Sequence, residues 1–404
     1  MADAACPGFR FAGLGSGAKA VGQAAAATGE AFGLGLVAAD ADAVAAGVFT
    51  RNRFRAAPVT LSEARIKSGS CRAILVNSGN ANAMVGGRGL TDAEAMTHYV
   101  ARALECDDKR VMVASTGRVG RLLSVEPIVF VTPQLVKALR PDGLDDFVHA
   151  IQTSDRTDKR ALRLMPFGKK TIARVLGVAK GAGLLGPDMA TTLAFVLTDV
   201  AVGRSFLKKA LAEAVGSTFN RTSVDGESST NDSIFVLSSG KAKNKPIEGG
   251  EAGDAFRAAL TEVLDELARG VVRDARGTSH VVSFEVTGAT TDAAALQIAS
   301  HLARSLPVKA ALFGADPAWP RLLSVMGNAG IELDAEKIDI AIGEIDLVRA
   351  GAGLGLEAER RAHEVMRRGE YPLRVRVGRG KGQARYVGCD LSVDSVRAAA
   401  GSWL

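Results

Sequence analysis

The chain has 404 residues, more than one typical domain, and 47% of them are hydrophobic, enough for a large core. Only 5% are aromatic, so Ala, Val and Leu must do most of the packing. The net charge of +6 is dispersed, with no arginine stripe interleaved with aromatics, which argues against nucleic acid as a partner and leaves room for a bias toward acidic metabolites.

In chain order, residues 8–60 alternate apolar runs with glycines and read as strands of a glycine-rich sheet. Arg72-Ala-Ile-Leu-Val-Asn77 is a short buried strand that runs into a small polar loop, Asn77-Ser-Gly-Asn80-Ala-Asn82. The pattern over 91–105 predicts an amphipathic helix, with Thr91 as N-cap and Glu94 closing a capping box. Val111-Met-Val-Ala-Ser-Thr116-Gly117 is a strand ending in a turn. Residues 206–218 and 254–269 read as helices, and Ile234-Phe-Val-Leu237 and Ser283-Phe-Glu-Val-Thr287 as strands. The Lys-, Gly- and Glu-rich stretch 241–255 reads as a surface loop. Leu373-Arg-Val-Arg-Val-Gly378 alternates with period two and leads through a Gly-Arg-Gly-Lys-Gly turn into Gln383-Ala-Arg-Tyr-Val-Gly-Cys389, which predicts a β-hairpin. Together these elements predict a layered α/β protein.

Four cysteines (Cys6, Cys71, Cys106, Cys389) without CxxC spacing, and five histidines without an HxxxH or HExxH pair, predict neither a metal site nor a disulfide framework. The first residues lack a basic, apolar leader, and no window approaches about 18 charge-free apolar residues, so a cytoplasmic protein without a membrane span is expected.

The chemistry concentrates in Lys180-Gly-Ala-Gly-Leu-Leu-Gly-Pro187-Asp-Met-Ala190-Thr191-Thr192. A threonine after a small residue can attack the preceding carbonyl in an N→O acyl shift. Hydrolysis of the ester then frees the α-amino group of Thr191 to act as base for its own hydroxyl. The step forms an oxyanion, for which the Thr116 hydroxyl and the Gly117 N–H are candidate donors. Taken singly, Met-Ala-Thr-Thr also reads as ordinary packing, Ser-Thr-Gly as a plain turn, and Lys180 as a solvated lysine.

An ordered set of segments goes further. Gly8-Phe-Arg-Phe-Ala-Gly13, Val48-Phe-Thr-Arg-Asn-Arg-Phe54, the loop 77–83, Ala114-Ser-Thr-Gly117, Lys180 through Thr191, Phe219 through Asp232, Val308 through Pro317 and Gly388-Cys-Asp-Leu391 cover nearly the whole length. By these the chain resembles the ornithine acetyltransferase family. The resemblance implies an α/β sandwich, autoprocessed into an α chain (1–190) and a β chain (191–404) that stay associated, two αβ units or more together. It implies Ala190–Thr191 as cleavage site, Thr191 as acyl-accepting nucleophile, and Thr116 and Gly117 as the oxyanion hole. Thr153, in Gln152-Thr-Ser-Asp155, and Lys180 match substrate contacts. The substrates implied are an N-acyl amino acid and an amino-acid acceptor, and no cofactor is needed.

Three stretches depart from the family's pattern. Its substrate-contacting glutamate, in Asp-Gly-Glu-Gly-Ala-Thr-Lys, is Arg276 here, in Asp274-Ala-Arg276-Gly277-Thr-Ser-His280. Its C-terminal asparagine and last residue are Ala399 and Leu404. The segment Asp316-Pro-Ala318-Trp319-Pro320-Arg321 also differs from the family's Asp-Pro-Asn-Trp-Gly-Arg. An arginine facing an ammonium turns attraction into repulsion, so the sequence leaves three readings open: transfer of acetyl from N-acetylornithine to glutamate, a diverged acyltransferase or amidohydrolase with another substrate, and a non-catalytic paralogue.

Overall fold

A computed structural model describes residues 6–15, 32–167, 171–182 and 192–400. Ala190, Thr191 and Leu404 lie outside the described residues. Among the described residues, no helix is long and apolar enough to cross a membrane. The chain divides into two compact units, Met1–Ala182 with Asp188–Asn220 and Ser228–Val271, and Gly183–Pro187 with Arg221–Glu227 and Val272–Leu404.

The first unit is built on an eight-stranded mixed sheet. Its strands are β1 (Phe9–Leu14), β2 (Gly33–Phe49), β3 (Ser70–Asn80), β4 (Val111–Arg118), β5 (Lys159–Phe167), β6 (Thr171–Lys180), β7 (Leu193–Thr198) and β8 (Ser233–Ser238). The order is β4-β3-β2-β8-β7-β6-β5, with β1 on the first half of β2. Side chains alternate across this sheet as the period of two requires. Leu34, Leu36, Leu75 and Val113 enter one core, with Met96, Val100, Ile128 and Leu135 from helices α2 (Arg88–Ala103) and α3 (Val125–Lys137). Val37, Ile74, Val76 and Met112 enter the other, with Phe147 and Val148 of α4 (Leu144–Ile151). That second core is where the few aromatics gather: Phe147 meets Phe195 edge-on at 5.4 Å, and Phe195 stacks on Phe235 at 5.9 Å. The central parallel pair β7 and β8 is buried at every residue, as strands covered on both faces are.

Three expectations change here. The glycine-rich segment turns helical at Ala57, where α1 (Ala57–Ile66) starts with a proline in its first turn, a position that suits proline's fixed φ. Helix α2 starts three residues before Thr91, capped by Gly87 without a side-chain bond. A tight turn through Gly86 and Gly87 launches it, with Gly89 N–H donating to the Gly86 carbonyl, so no capping box is needed. After α5 (Arg204–Ser217), helix α6 (Gly250–Arg273) begins inside the stretch expected to be loop.

The second unit carries a six-stranded sheet of β9 (Val281–Ala289), β10 (Asp339–Ile342), β11 (Ile345–Arg349), β12 (Ala352–Gly353), β13 (Glu370–Arg376) and β14 (Gly382–Cys389). Helices α7 (Asp292–Arg304), α8 (Leu306–Phe313), α9 (Trp319–Gly327), α10 (Leu356–Met366) and α11 (Val393–Ala400) complete it. The order β12-β11-β10-β13-β9-β14 corrects the predicted hairpin, because β9 lies between its two arms. It runs parallel to β13 and antiparallel to β14. The buried Val282, Phe284 and Val286 of β9 lie in register between the two arms. The connection crosses the end of β9, with Val377 N–H on the Thr287 carbonyl and Gly380 N–H on the Gly288 carbonyl. A Cβ on Gly380 would lie 2.0 Å from the Ala289 carbonyl oxygen, so only glycine permits that crossing.

Candidate active site

The site in the first unit forms where β3 and β4 end side by side. Their parallel register places Thr116 opposite Ser78 and Gly117 opposite Gly79. The polar loop after β3 is held by its own side chains. Asn77 Nδ2 donates to the Asn80 carbonyl, Ser115 Oγ donates to Asn77 Oδ1, and Asn82 N–H donates to Asn80 Oδ1. Asn231, just before β8, bridges the same ends: its Nδ2 reaches the Ala81 carbonyl at 2.6 Å and the Ser115 carbonyl at 2.9 Å. These bonds leave the Thr116–Gly117 peptide little freedom.

Gly117 is glycine for a physical reason. Its φ of 132° is rarely open to L side chains, and a Cβ would sit 2.2 Å from the Gly79 carbonyl carbon and 2.5 Å from Asn80 N. Both neighbours are backbone and cannot swing aside. Gly117→Ala is expected to shift the end of β4 and lower acyl transfer by about 10²-fold or more, the usual loss for one oxyanion donor. Steady-state rates beside a thermal melt check this; transfer within tenfold of wild type in a folded variant would show that the end of β4 absorbs the added Cβ without moving the 117 N–H.

Lys180, at the end of β6, points into the same place. It is only 2% exposed, which excludes the solvated reading. Its Nζ donates to Thr116 Oγ1 at 3.1 Å and to Thr153 Oγ1 at 2.7 Å, and lies 3.5 Å from Asp155 Oδ2. An ammonium has only donors. The Thr116 oxygen therefore accepts from Lys180, and its own O–H is left to point elsewhere.

Asp155 and Lys159 were not singled out in the sequence. Asp155 Oδ1 accepts from Lys159 Nζ at 2.8 Å and from Gly181 N–H at 2.7 Å, and neither side chain of the ion pair is more than 2% exposed. Burial pushes the Asp155 carboxyl up. The charges of Lys180 and Lys159 and the bonds from Gly181 and Lys159 outweigh it, and the pKa falls to about 2. Burial pulls the Lys180 ammonium below the ordinary lysine range, and Asp155 opposes that pull. Two buried cations thus share one carboxylate. The nearness of Asp155 to Thr153 in Gln152-Thr-Ser-Asp155 was the only local hint of it.

Asp232 was also missed as a site residue, although it ends one of the segments that carried the resemblance. It is fully buried before β8, and its Oδ1 accepts from Thr192 N–H at 2.6 Å. Burial drives its carboxyl well above the usual range, opposed by the N–H groups of Thr192 and Ser229 and by the Lys180 charge.

Of the residues singled out from sequence, Thr116, Gly117, Thr153 and Lys180 come together here, with Thr153 exposed at the rim. Ala190 and Thr191 lie outside the described residues, next to the held Thr192. Arg276 and Ala399 belong to the second unit, where Arg276 is exposed in the turn after α6. Near it, Gly277 packs against the chain at Asp394–Ser395, and its carbonyl accepts from Ser392 Oγ at 2.6 Å.

A model of the ArgJ family matches residues 19–401. An arginine biosynthesis bifunctional protein ArgJ of Synechococcus sp. is 38% identical over 400 residues, 96% of this chain and 94% of that protein. One of Methylococcus capsulatus is 41% identical over 354 residues, 87% and 86% of the two. The crystal structure of the arginine biosynthesis bifunctional protein ArgJ of Bacillus halodurans matches at 35% identity with a TM-score of 0.50, covering 51% of this chain and 98% of that one. With the family match spanning almost every residue and the relatives covered nearly end to end, the chain belongs to the ArgJ family.

Proposed function

We propose that this chain is a self-processing cytoplasmic acetyltransferase that moves an acetyl group between N-acetylornithine and glutamate through an ester on Thr191. The observation that carries the reading is that buried Lys180 bonds buried Thr116 next to the exposed Gly117, while Lys180 pairs in register with Leu193, two residues after Thr191. In self-processing, the Thr191 hydroxyl attacks the Ala190 carbonyl, the amide nitrogen takes up a proton as it leaves, and water hydrolyses the ester. In transfer, the same hydroxyl attacks the donor's acetyl carbonyl and gives its proton to the free Thr191 amine, and the ornithine amine departs protonated. The glutamate amine then takes the acetyl group. In each step the oxyanion is received by the Thr116 O–H, aimed by Lys180, and by the Gly117 N–H. The net positive charge of Lys180, Lys159 and Asp155 favours the oxyanion or a substrate carboxylate.

A cut before Thr191 divides the 404 residues roughly in half, and the solved Bacillus chain is itself covered to 98% by 51% of this chain. That proportion supports two associated pieces, assembled as two αβ units or more. The cut would not follow the two compact units, since β6 and β7 on either side of it pair as neighbours in one sheet. Intact-mass analysis after incubation with N-acetylornithine tests the reading. Two pieces are expected, the one beginning at Thr191 heavier by an acetyl group; a single unmodified chain rejects it.

A second reading keeps the chemistry and changes the acceptor, and it is favoured by Arg276 standing where the family's pattern has a substrate-contacting glutamate. At about 4 Å a unit charge pair is worth ~4 kcal/mol at intermediate dielectric, and about 1 kcal/mol or less when exposed and screened. Even the screened value reaches about fivefold, and replacing repulsion by attraction counts it twice. Arg276→Glu is therefore expected to raise kcat/KM for N-acetylornithine by about tenfold or more if the second reading holds. An unchanged value in steady-state assays returns the choice to the first.

A further inference from the structure

A cavity of about 350 Å³ lies beside the latter half of β2, wholly within the first unit, and shares no lining residue with the site around Lys180. Its floor is an open strand edge. Strand β2 pairs with β3 only as far as Val44, and from there to Phe49 it pairs with β8 alone. Thr50 N–H continues that ladder to the Asp232 carbonyl, while Ala45 N–H turns the other way, to the Gly69 carbonyl. Antiparallel pairing alternates residue by residue, so Gly47 directs both its N–H and its C=O away from β8 and toward the cavity that it lines. Among the described residues no group bonds either one. The walls are cationic. Arg51, Arg55, Lys67, Arg204 and Lys208 stand there with one carboxylate, Glu63, which Arg55 takes at 2.5 Å. Among the described residues Lys67, Arg204 and Lys208 have no acidic partner. Arg204 is also held in one place. Its Nη2 donates to the Lys67 carbonyl, and its side chain lies along Gly69, where a Cβ would meet Nε at 2.2 Å. The start of α5 carries no acid in its first turn, so the positive end of that helix adds to the same field.

We propose that this cavity is a second ligand site, for a small N-acyl dicarboxylate, whose amide bridges to Gly47 as a further strand would and whose carboxylates meet Arg204, Lys67 and Lys208. Each part of that ligand answers a feature of the cavity. An amide offers one donor and one acceptor, the complement of the two groups that Gly47 presents. Three cations without an acid call for more than one negative charge, and a guanidinium pinned at one nitrogen still has donors for a carboxylate. The volume is at the small end of ligand sites, which suits a metabolite rather than a protein segment. Buried Phe49 and Ile66 give the ligand's carbon chain an apolar surface. The acetylated glutamate that the proposed transfer releases is such a molecule. That choice of probe rests on the proposed function, whereas the class of ligand rests on the cavity alone. N-acetylornithine carries an ammonium at its far end and would be repelled by the same lysines.

Lysine labelling of the wild-type protein by a propionylating reagent, read by peptide mass spectrometry, tests this without turnover. The probes are N-acetylglutamate, glutarate (the same two carboxylates without the amide) and inorganic phosphate. N-acetylglutamate is expected to slow labelling of Lys67 and Lys208 and to leave Lys209 unchanged, since Lys209 faces Glu213 at 3.8 Å instead. Half of the effect should be reached below about 1 mM, and glutarate should need about fivefold more, the worth of one net hydrogen bond. Lys208→Glu should raise the N-acetylglutamate concentration needed at Lys67 by about tenfold, because an exposed charge is reversed rather than removed. Protection by glutarate or phosphate as good as that by N-acetylglutamate would mean a general anion patch and overturns the inference. Labelling unchanged by about 10 mM N-acetylglutamate overturns it too. So does labelling of Lys67 and Lys208 that rises when the protein alone is diluted, which would mark this face as a contact between copies. An uncut, inactive chain would instead overturn the Thr191 reading and leave the footprint as it is.

Discussion

Thr191→Ala is expected to run as one full-length chain on a denaturing gel and to lose transfer by on the order of 10⁶-fold in kcat, the scale seen when a nucleophile acting as part of a unit is removed. Both effects come from one oxygen. Without it there is no attack on the Ala190 carbonyl and no acceptor for the acetyl group. The surrounding frame should survive, because Thr192 is held by Asp232 and β7 is buried between β6 and β8 without help from that hydroxyl. Thr191→Ser restores the hydroxyl and should restore the cut. A cut chain or retained transfer in Thr191→Ala would falsify the nucleophile assignment, and circular dichroism shows whether the variant is folded.

How much of this was legible in the sequence depends on how local each signal is. Strands β3 and β4 stand out as apolar runs that end in polar, small residues, and those ends are where Thr116 and Gly117 sit. Lys180 was legible only through its motif, since nothing nearby says that its ammonium is buried against Thr116 and Thr153. The false hairpin shows the limit plainly. Two alternating strands joined by a glycine-rich link satisfy every local rule, yet β9, far earlier in the chain, takes the place between them. The start of α2 was misplaced because a Gly86–Gly87 turn does the work that a capping side chain was expected to do. Asp155, Lys159 and Asp232 were hidden for the same reason. Their importance comes from burial and from partners across the sheet, and a one-dimensional reading treats a charged residue as solvated unless a motif says otherwise.

Asp155→Ala is expected to be the most destabilising single change in the site. It leaves the buried Lys159 and Lys180 without their shared carboxylate, and removing one partner of a buried pair costs about 3–5 kcal/mol. The wild-type pH dependence isolates part of that figure. Asp155 has a folded pKa of about 2 against an ordinary ~3.9, so its contribution of about 2–3 kcal/mol is present above pH ~4 and is lost as pH falls toward 2. The remainder belongs to the ammoniums that lose this carboxylate, Lys180 above all, and it carries its own signature. In the variant the Lys180 ammonium, pulled down by burial, loses the Asp155 charge that opposes that pull, so its folded pKa lies further below the unfolded ~10.4, and the deficit is full at neutral pH and shrinks as pH rises toward that value. Urea unfolding at pH 5, 7 and 9, carried out in the Thr191→Ala background to keep one chain, should show the stability gap between proteins with and without the Asp155→Ala change narrowing at pH 9. Transfer, measured without the Thr191 change, should fall as well, because Lys180 no longer holds the Thr116 oxygen in one direction. A gap under about 1 kcal/mol at pH 7, the range of an exposed pair, would mean that the two lysines reach solvent and that the buried triad does not position the oxyanion hole.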